Sequence, residues 1–287
     1  MDWWLIAFLN SFVSAIYITM NGRFRVPGNS LVYGRSGIVV LAMFPFMFML
    51  DWPAHPLFYV FAVGAAAAAA FGDMTMYDRI AQYGGAVISR IVPLKVWIVF
   101  TFWVLVSPST FFALWDDPMR LFGILAMLAL GSISLMSLNR CPVSNTVFMA
   151  VIIPVFMWSC SDVMFKGAML HHETGGLISS FQFVFIVAVI MTLIGGCSVY
   201  GKTNTLKQDK KMLKVSLIGA AIFFTLVSGL GLSFSAAPNP SYVVAMMSLN
   251  VVWIYLYHRF RGIPDNSNVR AGIFFVLSTV GLVLLTK

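Results

Sequence analysis

The apolar stretch AVISRIVPLKVWIV, residues 86–99, carries two basic side chains, Arg90 and Lys95, with Pro93 between them. A charged side chain at the centre of a bilayer costs at least about 2.5–3.5 kcal/mol on insertion scales, so each such residue is a candidate for function. Proline removes a backbone hydrogen bond from a helix, and Pro93 could either expose carbonyl groups to a cavity beside Lys95 or improve packing through a kink. The chemistry open to these cations is the binding of an anionic group or pairing with a carboxylate.

Two carboxylates in other apolar runs, Asp73 and Asp162, could supply such partners. At a rise of about 1.5 Å per residue, Asp73 and Arg90 fall at comparable depths on two helices joined by a short turn, which favours an ion pair with a structural or gating role. Lys95 falls near the midplane, where it could meet an anionic substrate, reach Asp162 or Asp73, or snorkel without a role. The same count places Asp162 nearer the outer face, where it could bind a proton for coupling or pair with Lys166.

Uncharged polar and aromatic side chains also map to mid-membrane depth. An asparagine within a span is more often an interhelical hydrogen-bonding group than a ligand contact. Tryptophans normally concentrate at the membrane interfaces, so a central tryptophan is a candidate cavity wall, although plain packing is equally consistent. Arg35, in contrast, lies near the predicted end of a helix and is expected to snorkel to the surface. The mid-depth residues are Asn10, Asn250, Trp97, Trp158 and Trp253.

The composition is that of a polytopic membrane protein. Hydrophobic residues make up 60% of the chain and charged residues 10%, compared with about 45–50% and about 25% in a typical soluble domain. Continuous apolar runs of about 17–25 residues favour membrane helices over the alternating strands of a barrel. We therefore predict an all-α integral membrane protein with ten transmembrane helices. The ten runs are residues 3–21, 31–50, 57–77, 84–106, 120–138, 145–167, 176–200, 212–235, 239–258 and 270–286.

The charged residues predict an orientation and exclude several partners. The net charge of +8 comes from lysines and arginines spread over short gaps, which argues against nucleic-acid binding because no single basic face exists. Basic residues are concentrated in alternate gaps, including 201–211 and 259–270, so these gaps are predicted to be cytoplasmic and both termini to lie outside the cytoplasm. The three cysteines form no CxxC or zinc-type spacing, and no ATP-binding motif occurs, so we expect no cofactor.

Two short echoes in the sequence indicate an internal repeat. Shifted by 156 residues, KVWIV (95–99) falls on VVWIY (251–255), and shifted by 155 residues, VGAA (63–66) falls on IGAA (218–221). Five helices in each half would invert the second half relative to the first, an arrangement that places a site at the bilayer midplane. We predict a single membrane domain built as a five-plus-five inverted-topology repeat. The predicted repeats are residues 1–140 and 141–287.

The combination of ten helices, an inverted repeat and short loops resembles the EamA-like branch of the drug/metabolite transporter superfamily. Pro93 matches the family's proline in the fourth helix, and Trp158 followed by Lys166 matches its tryptophan-then-basic pattern at the end of the sixth helix. The chain departs from the family where a Gly-Glu pair is common, and reads VSP at 106–108 and RFRG at 259–262. The resemblance implies a secondary transporter that works by alternating access in a bacterial inner membrane.

These observations predict the transport of a small polar metabolite with an anionic group. The expected partners are that substrate and the lipid bilayer, with a coupled proton or a counter-substrate left open. An intramembrane enzyme and a non-transporting scaffold or receptor are the alternatives, although H-E-x-x-H and G-x-S-x-G are absent from the sequence. The predicted substrate-binding residues are Lys95, Arg90, Asn10, Trp97, Trp158, Asn250 and Trp253. The predicted gating or coupling residues are Asp73, Asp162 and Pro93.

Overall fold

The computed structural model describes residues 2–84, 88, 91–138, 144–172, 176–200, 210–262 and 268–286. Within those residues every regular element is a helix and no strand occurs. The helices in chain order are α1 (Trp3–Phe24), α2 (Gly28–Met47), α3 (Pro56–Tyr83), α4 (Leu94–Val106), α5 (Pro108–Trp115), α6 (Pro118–Leu138), α7 (Asn145–Leu170), α8 (Gly176–Tyr200), α9 (Lys210–Ala236), α10 (Pro240–Met247), α11 (Asn250–Phe260) and α12 (Val269–Thr286).

The helices are those of an integral, multi-pass membrane protein. Among the described residues, nine segments are long and apolar enough to cross a bilayer, and α10 with α11 counts as one of them. A tenth crossing is reached if α4 and α5, which are bent by 100° at Ser107, form one span. The outer surface is covered by exposed apolar side chains such as Leu41 and Leu284, as expected for a surface that faces lipid.

Two of the predicted runs are interrupted near their middle. The run 84–106 contains a turn at Ile91–Pro93, where the amides of Leu94 and Lys95 bond to carbonyls three residues back, and α4 begins after Pro93. The run 239–258 is divided between α10 and α11 at Ser248–Leu249. Pro93 accounts for the first break because a proline lacks the amide proton of a continuous helix. The second break contains no proline and was not predicted.

The short helix α5 was predicted only as a gap between spans. It begins at Pro108, whose fixed φ and missing amide proton suit the first turn of a helix. With eight residues it is too short to cross a bilayer, which takes about 17–25 residues. Its side chains Phe112 and Trp115 are exposed, so α5 presents aromatic surface to its surroundings.

The bundle is held together by close helix pairs between the two halves of the chain. α3 packs against α7, α1 against α9, α2 against α8, α4 against α10, and α6 against α12. Small residues permit this approach: Ala65 and Ala66 are buried, and Ser161 of α7 donates a hydrogen bond to the carbonyl oxygen of Ala65 at 3.0 Å. The alanine run 65–70 therefore lies at a helix–helix contact, where small side chains let two helices approach closely.

Candidate functional site

A cavity of about 240 Å³ lies at the centre of the bundle, where helices from both halves meet. Most of its wall is apolar and includes Ile80, Phe165 and Phe223. Its charged and polar lining residues come from six helices and from the break between α10 and α11, so no single element builds the site. Those residues are Ser14 and Tyr17 (α1), Arg35 (α2), Asp73 and Tyr77 (α3), Lys95 (α4), Ser161 and Asp162 (α7), Ser248 (between α10 and α11) and Asn250 (α11).

The first feature of the site is an enclosed ion pair between Arg35 and Asp73. The Arg35 side chain is 1% exposed, and its guanidinium also donates hydrogen bonds to the hydroxyl groups of Tyr17 and Tyr77, the latter at 2.9 Å. The second carboxylate oxygen of Asp73 accepts a hydrogen bond from Trp158 Nε1 at 2.7 Å. Both carboxylate oxygens of Asp73 therefore accept a hydrogen bond from the protein, and the Arg35 guanidinium is enclosed by its partners.

This arrangement corrects the expectation for Arg35. The prediction that Arg35 snorkels to the surface is wrong, because α2 begins at Gly28 and places Arg35 seven residues inside the helix. The partner of Asp73 is Arg35, whereas Arg90, its predicted partner, lies outside the described residues. The sequence signal that was overlooked is Tyr17, a phenol inside an apolar run that a buried guanidinium can use.

The second feature is an ion pair that borders the cavity, in which Lys95 Nζ lies 2.7 Å from Asp162 Oδ2. The two side chains are 16% and 11% exposed although they sit inside the bundle, because both face the cavity. A lysine ammonium has three donor protons and a carboxylate about four acceptor sites, so one contact leaves capacity on both groups. Lys95 and Asp162 thus present a donor and an acceptor side by side to a ligand.

Of the alternatives left open for Lys95, the structure shows the pair with Asp162. Although the residue count placed Asp162 nearer the outer face, the Lys95 side chain reaches its carboxylate. The count from Gly84 assumed a continuous helix, which the turn at Ile91–Pro93 interrupts, and it took no account of helix tilt. Asp162 is therefore not the partner of Lys166 either.

Trp158 joins the two ion pairs. Its indole N–H bonds to Asp73, while the centroid of its ring lies 5.5 Å from Lys95 Nζ, within the range of a cation–π contact. Gly72 makes room for the indole, since a Cβ atom at that position would lie 2.6 Å from Trp158 Cδ1. Trp158 lines the cavity, as the sequence predicted for a central tryptophan. Because it contacts both Asp73 and Lys95, it couples the two ion pairs physically.

The other predicted site residues divide into two groups. Asn250 lines the cavity and donates a hydrogen bond to Ser14 Oγ at 3.1 Å. Pro93 lies beside the cavity-lining Val92, where it ends the turn before α4. The remaining three are outside the cavity lining and connect helices through hydrogen bonds: Asn10 to Leu226 O at 3.0 Å, Trp97 to Ser132 Oγ at 2.9 Å, and Trp253 to Ser11 Oγ at 2.9 Å.

Part of the cavity wall belongs to an aromatic layer. The rings of Phe165 and Phe183 stack with their centroids 3.6 Å apart, and Phe234 packs edge-on against Phe165. Next to them Lys166, which is 3% exposed, donates hydrogen bonds to the carbonyl oxygens of Phe234 at 2.6 Å and Ala237 at 2.8 Å. A cation is favourable there, because the last carbonyl groups of α9 have no partner within the helix and carry its negative dipole.

Comparison with known proteins supports the fold. No protein-family model matches this chain, and no curated protein matches it. Fifteen solved chains share its fold. One of them, named only as "Crystal structure of protein", superposes with a TM-score of 0.66 over 99% of this chain and 96% of that chain, at 14% sequence identity. At this identity the likeness concerns the fold alone, so the case for a function depends on the geometry of the cavity.

Proposed function

We propose that this protein is a secondary transporter that moves a small polar metabolite with an anionic group across a bacterial inner membrane by alternating access. The observation that carries the proposal is the Lys95–Asp162 pair, two charged groups that face a cavity between the halves of a membrane bundle. Ionisable residues inside a membrane are expensive, and they most often mark the path of a substrate or ion. A scaffold that binds no small ligand would have no need of this pair.

Alternating access is best served by two inverted repeats, and three pairs of helix contacts support such an arrangement. If α1–α6 are related to α7–α12, the contact of α3 with α7 corresponds to that of α9 with α1. The contact of α3 with α8 corresponds to that of α9 with α2, and the contact of α4 with α7 to those of α10 and α11 with α1. The two broken spans fit as well, since α4 begins at Leu94 and α11 at Asn250, the 156-residue offset of the sequence echo.

The anionic group of the substrate is assigned to Lys95. Arg35 is enclosed by its own partners, whereas Lys95 borders the cavity and has donor protons to spare. The charged residues that line the cavity, within the described part of the chain, are Arg35, Asp73, Lys95 and Asp162, and their formal charges cancel. An anion at Lys95 would leave Asp162 without its counter-charge, and a proton on Asp162 would restore the balance. The proposal therefore includes proton coupling through Asp162.

The aromatic layer fits the same mechanism. In an alternating-access cycle, opening the cavity on this side would separate Phe165 from Phe234 and Lys166 from the end of α9. The two halves would then rock about the central cavity.

The experiment that tests the proposal begins with the purified protein and a panel of metabolites that carry carboxylate or phosphate groups. Ligands that bind the folded state raise its apparent melting temperature. The compounds that do so are then offered to liposomes that contain only this protein. Uptake above that of empty liposomes supports a transporter. Conversion of the compound without movement would indicate an intramembrane enzyme, and binding without either would indicate a receptor or scaffold.

A further inference from the structure

Besides the central cavity, a groove of about 260 Å³ lies on the outside of the bundle between α11 and α12. Its wall is almost entirely apolar. Tyr255 and Asn268 are its only polar lining residues in the described part of the chain. The other lining residues are Leu138 at the end of α6, Val252 and Leu256 of α11, and Val269, Gly272, Ile273, Val276 and Leu277 of α12.

The groove exists because α11 and α12 pack against different neighbours. α11 packs against α1 and contains no fully buried residue, whereas α12 packs against α6. Gly272 leaves the floor of the groove open because it has no side chain, and a Cβ atom there would make an ordinary contact with Leu138 Cδ1 at 3.4 Å. The start of α12 is anchored to α6 by a 2.6 Å hydrogen bond from the Asn268 amide to the Leu138 carbonyl. This hydrogen bond fixes the start of α12, one wall of the groove, against α6.

The mouth of the groove is basic. Arg259 lies one turn beyond the lining residue Tyr255 and donates to its hydroxyl group at 3.4 Å, and Arg270 follows the lining residue Val269 directly. Both arginine side chains are exposed, as is that of Arg261. In the sequence the segment 259–270 holds these three arginines and one acidic residue, Asp265, which lies outside the described residues. An exposed pair of arginines beside an apolar slot fits a phosphate joined to a hydrocarbon chain.

We propose that this groove binds an anionic phospholipid, with an acyl chain between α11 and α12 and the phosphate held by Arg259 and Arg270. A second copy of the chain is a poorer occupant, because a two-fold interface on this face would bring the same three arginines of both copies together. A zwitterionic lipid would fill the slot but would gain less from the two guanidinium groups.

The lipid site adjoins the central cavity across a single helix. Asn250 and Ile254 of α11 line the cavity, whereas Val252 and Leu256 of the same helix line the groove. The break at Ser248–Leu249 separates α11 from α10, and backbone hydrogen bonds such as that from the Val252 amide to the Leu249 carbonyl continue across it. A lipid in the groove would support α11 from behind. If the protein is the transporter proposed above, the lipid would thereby set the position of a cavity wall.

The test measures the melting temperature of the purified protein in detergent with dioleoyl-phosphatidylglycerol or dioleoyl-phosphatidylcholine, which share their acyl chains and differ in charge. Phosphatidylglycerol should raise it by several degrees at concentrations where phosphatidylcholine has little effect. The double variant Arg259→Gln/Arg270→Gln should lose this difference. Lys210→Gln/Lys211→Gln, which removes the same charge at the start of α9, should keep it.

A second pair of variants tests the slot itself. Gly272→Leu fills the groove without changing any charge and should abolish stabilisation by phosphatidylglycerol, whereas Val280→Leu, an exposed position of α12 outside the groove, should not. Equal stabilisation by both lipids in all variants would show that the lipids act as a general solvent around the bundle and not at this groove, and would overturn the proposal. A stable dimer that dissociates in Gly272→Leu would indicate a second copy as the occupant. Lys95→Met/Asp162→Asn should retain the lipid response, so a failure of the transport proposal would be seen separately.

Discussion

At the scale of single residues, the two ion pairs of the cavity differ in how completely they are engaged. Arg35 and Asp73 have hydrogen-bond partners on three further side chains, Tyr17, Tyr77 and Trp158. Lys95 and Asp162 are joined by one contact and face open space. The first pair therefore holds α2 and α3 together, while the second is free to exchange a partner with a ligand.

The enclosed pair should behave as a structural unit. Arg35→Met leaves Asp73 buried without its counter-charge, and breaking a buried pair from one side costs about 3–5 kcal/mol. Arg35→Met/Asp73→Asn removes both charges and should recover most of that loss. Thermal unfolding of the two single variants and the double variant in detergent measures the coupling. Losses in the double variant that equal the sum of the single losses would contradict a direct pair.

The indole N–H of Trp158 should contribute more to stability and to ligand binding than the indole N–H of a tryptophan outside the cavity. Trp158→Phe keeps a ring beside Lys95 but removes the donor to Asp73, a hydrogen bond to a charged group worth about 1.5–3 kcal/mol. Trp97→Phe, which removes a donor to Ser132 outside the cavity, is the matched control and should cost about 0.5–1.5 kcal/mol. Ligand-induced stabilisation should weaken in Trp158→Phe alone. Equal losses of stability and of ligand response in both variants would contradict a special role.

The residues of the cavity could be predicted from the sequence better than their pairing could. Lys95, Asp73 and Asp162 stand out because charges in apolar runs are costly. Their partners could not be assigned, since depth counted along a helix ignores tilt and the turn at Ile91–Pro93. The expectation for Arg35 was wrong for a related reason. α2 begins at Gly28, three residues before the predicted run, so Arg35 lies deeper in the helix than the count assumed.

At the scale of the helices, the interface of α3 and α7 ends in a stack of aromatic rings outside the membrane spans. The rings of His55 and His171 lie 4.4 Å apart and nearly parallel, and Phe61 stacks on the other side of His171 at 5.9 Å. Burial lowers the pKa of His171, and the positive charge of His55 lowers it further. The stability of this end of the interface should therefore depend on pH.

The sign of that response follows from linkage. The folded state holds the pKa of His171 below its value in the unfolded chain, about 6.5, so the unfolded state takes up its proton first as the pH falls. The stability contributed by neutral His171 is complete above that pH and decreases as the pH falls toward the folded pKa.

We expect the melting temperature to decrease between pH 7 and pH 5, and less steeply in His171→Phe, which keeps the stack. His258→Phe, at the end of α11, is the control and should keep the wild-type slope. An unchanged slope in His171→Phe would rule out this ring as the titrating group.

The breaks in α4 and between α10 and α11 show which local features the sequence can reveal. Pro93 favours the first break because a proline removes a helix hydrogen bond, although Pro45 and Pro154 of this chain lie inside continuous helices. The second break has no such residue. Ser248 Oγ instead bonds to the Val244 carbonyl at 3.0 Å, a local contact of the kind that competes with helix hydrogen bonds. Serine makes that contact in many unbroken helices, so it could not have been used as a signal.

At the scale of the whole molecule, the ten apolar runs were sufficient to predict a multi-pass helical bundle. The length of an apolar run indicates whether a helix can cross the membrane, since a span needs about 20 apolar residues. The bend of 100° between α4 and α5 was not predicted, although Pro108 directly after Ser107 favours a helix boundary there. The inverted repeat remains a prediction that the paired helix contacts support.

The orientation of the bundle can be tested by labelling. On a background without cysteine, Ser109→Cys in α5 and Lys210→Cys at the start of α9 place exposed thiols in gaps that the charge distribution assigns to opposite faces. In intact cells an impermeant thiol reagent should label the first and not the second. The reverse pattern would place the basic gaps outside and overturn the predicted orientation.

The central claim is that the Lys95–Asp162 pair binds the substrate, and one flux measurement tests it most directly. Lys95→Met alone would leave Asp162 unpaired, so the variant to use is Lys95→Met/Asp162→Asn, which removes both charges together and should fold as well as the wild type. Uptake of the best-stabilising anionic metabolite is followed in liposomes that contain equal amounts of folded wild type or double variant. The account predicts uptake by the wild type and none above empty liposomes by the variant. Wild-type uptake by the folded variant would show that the substrate is not held by this pair.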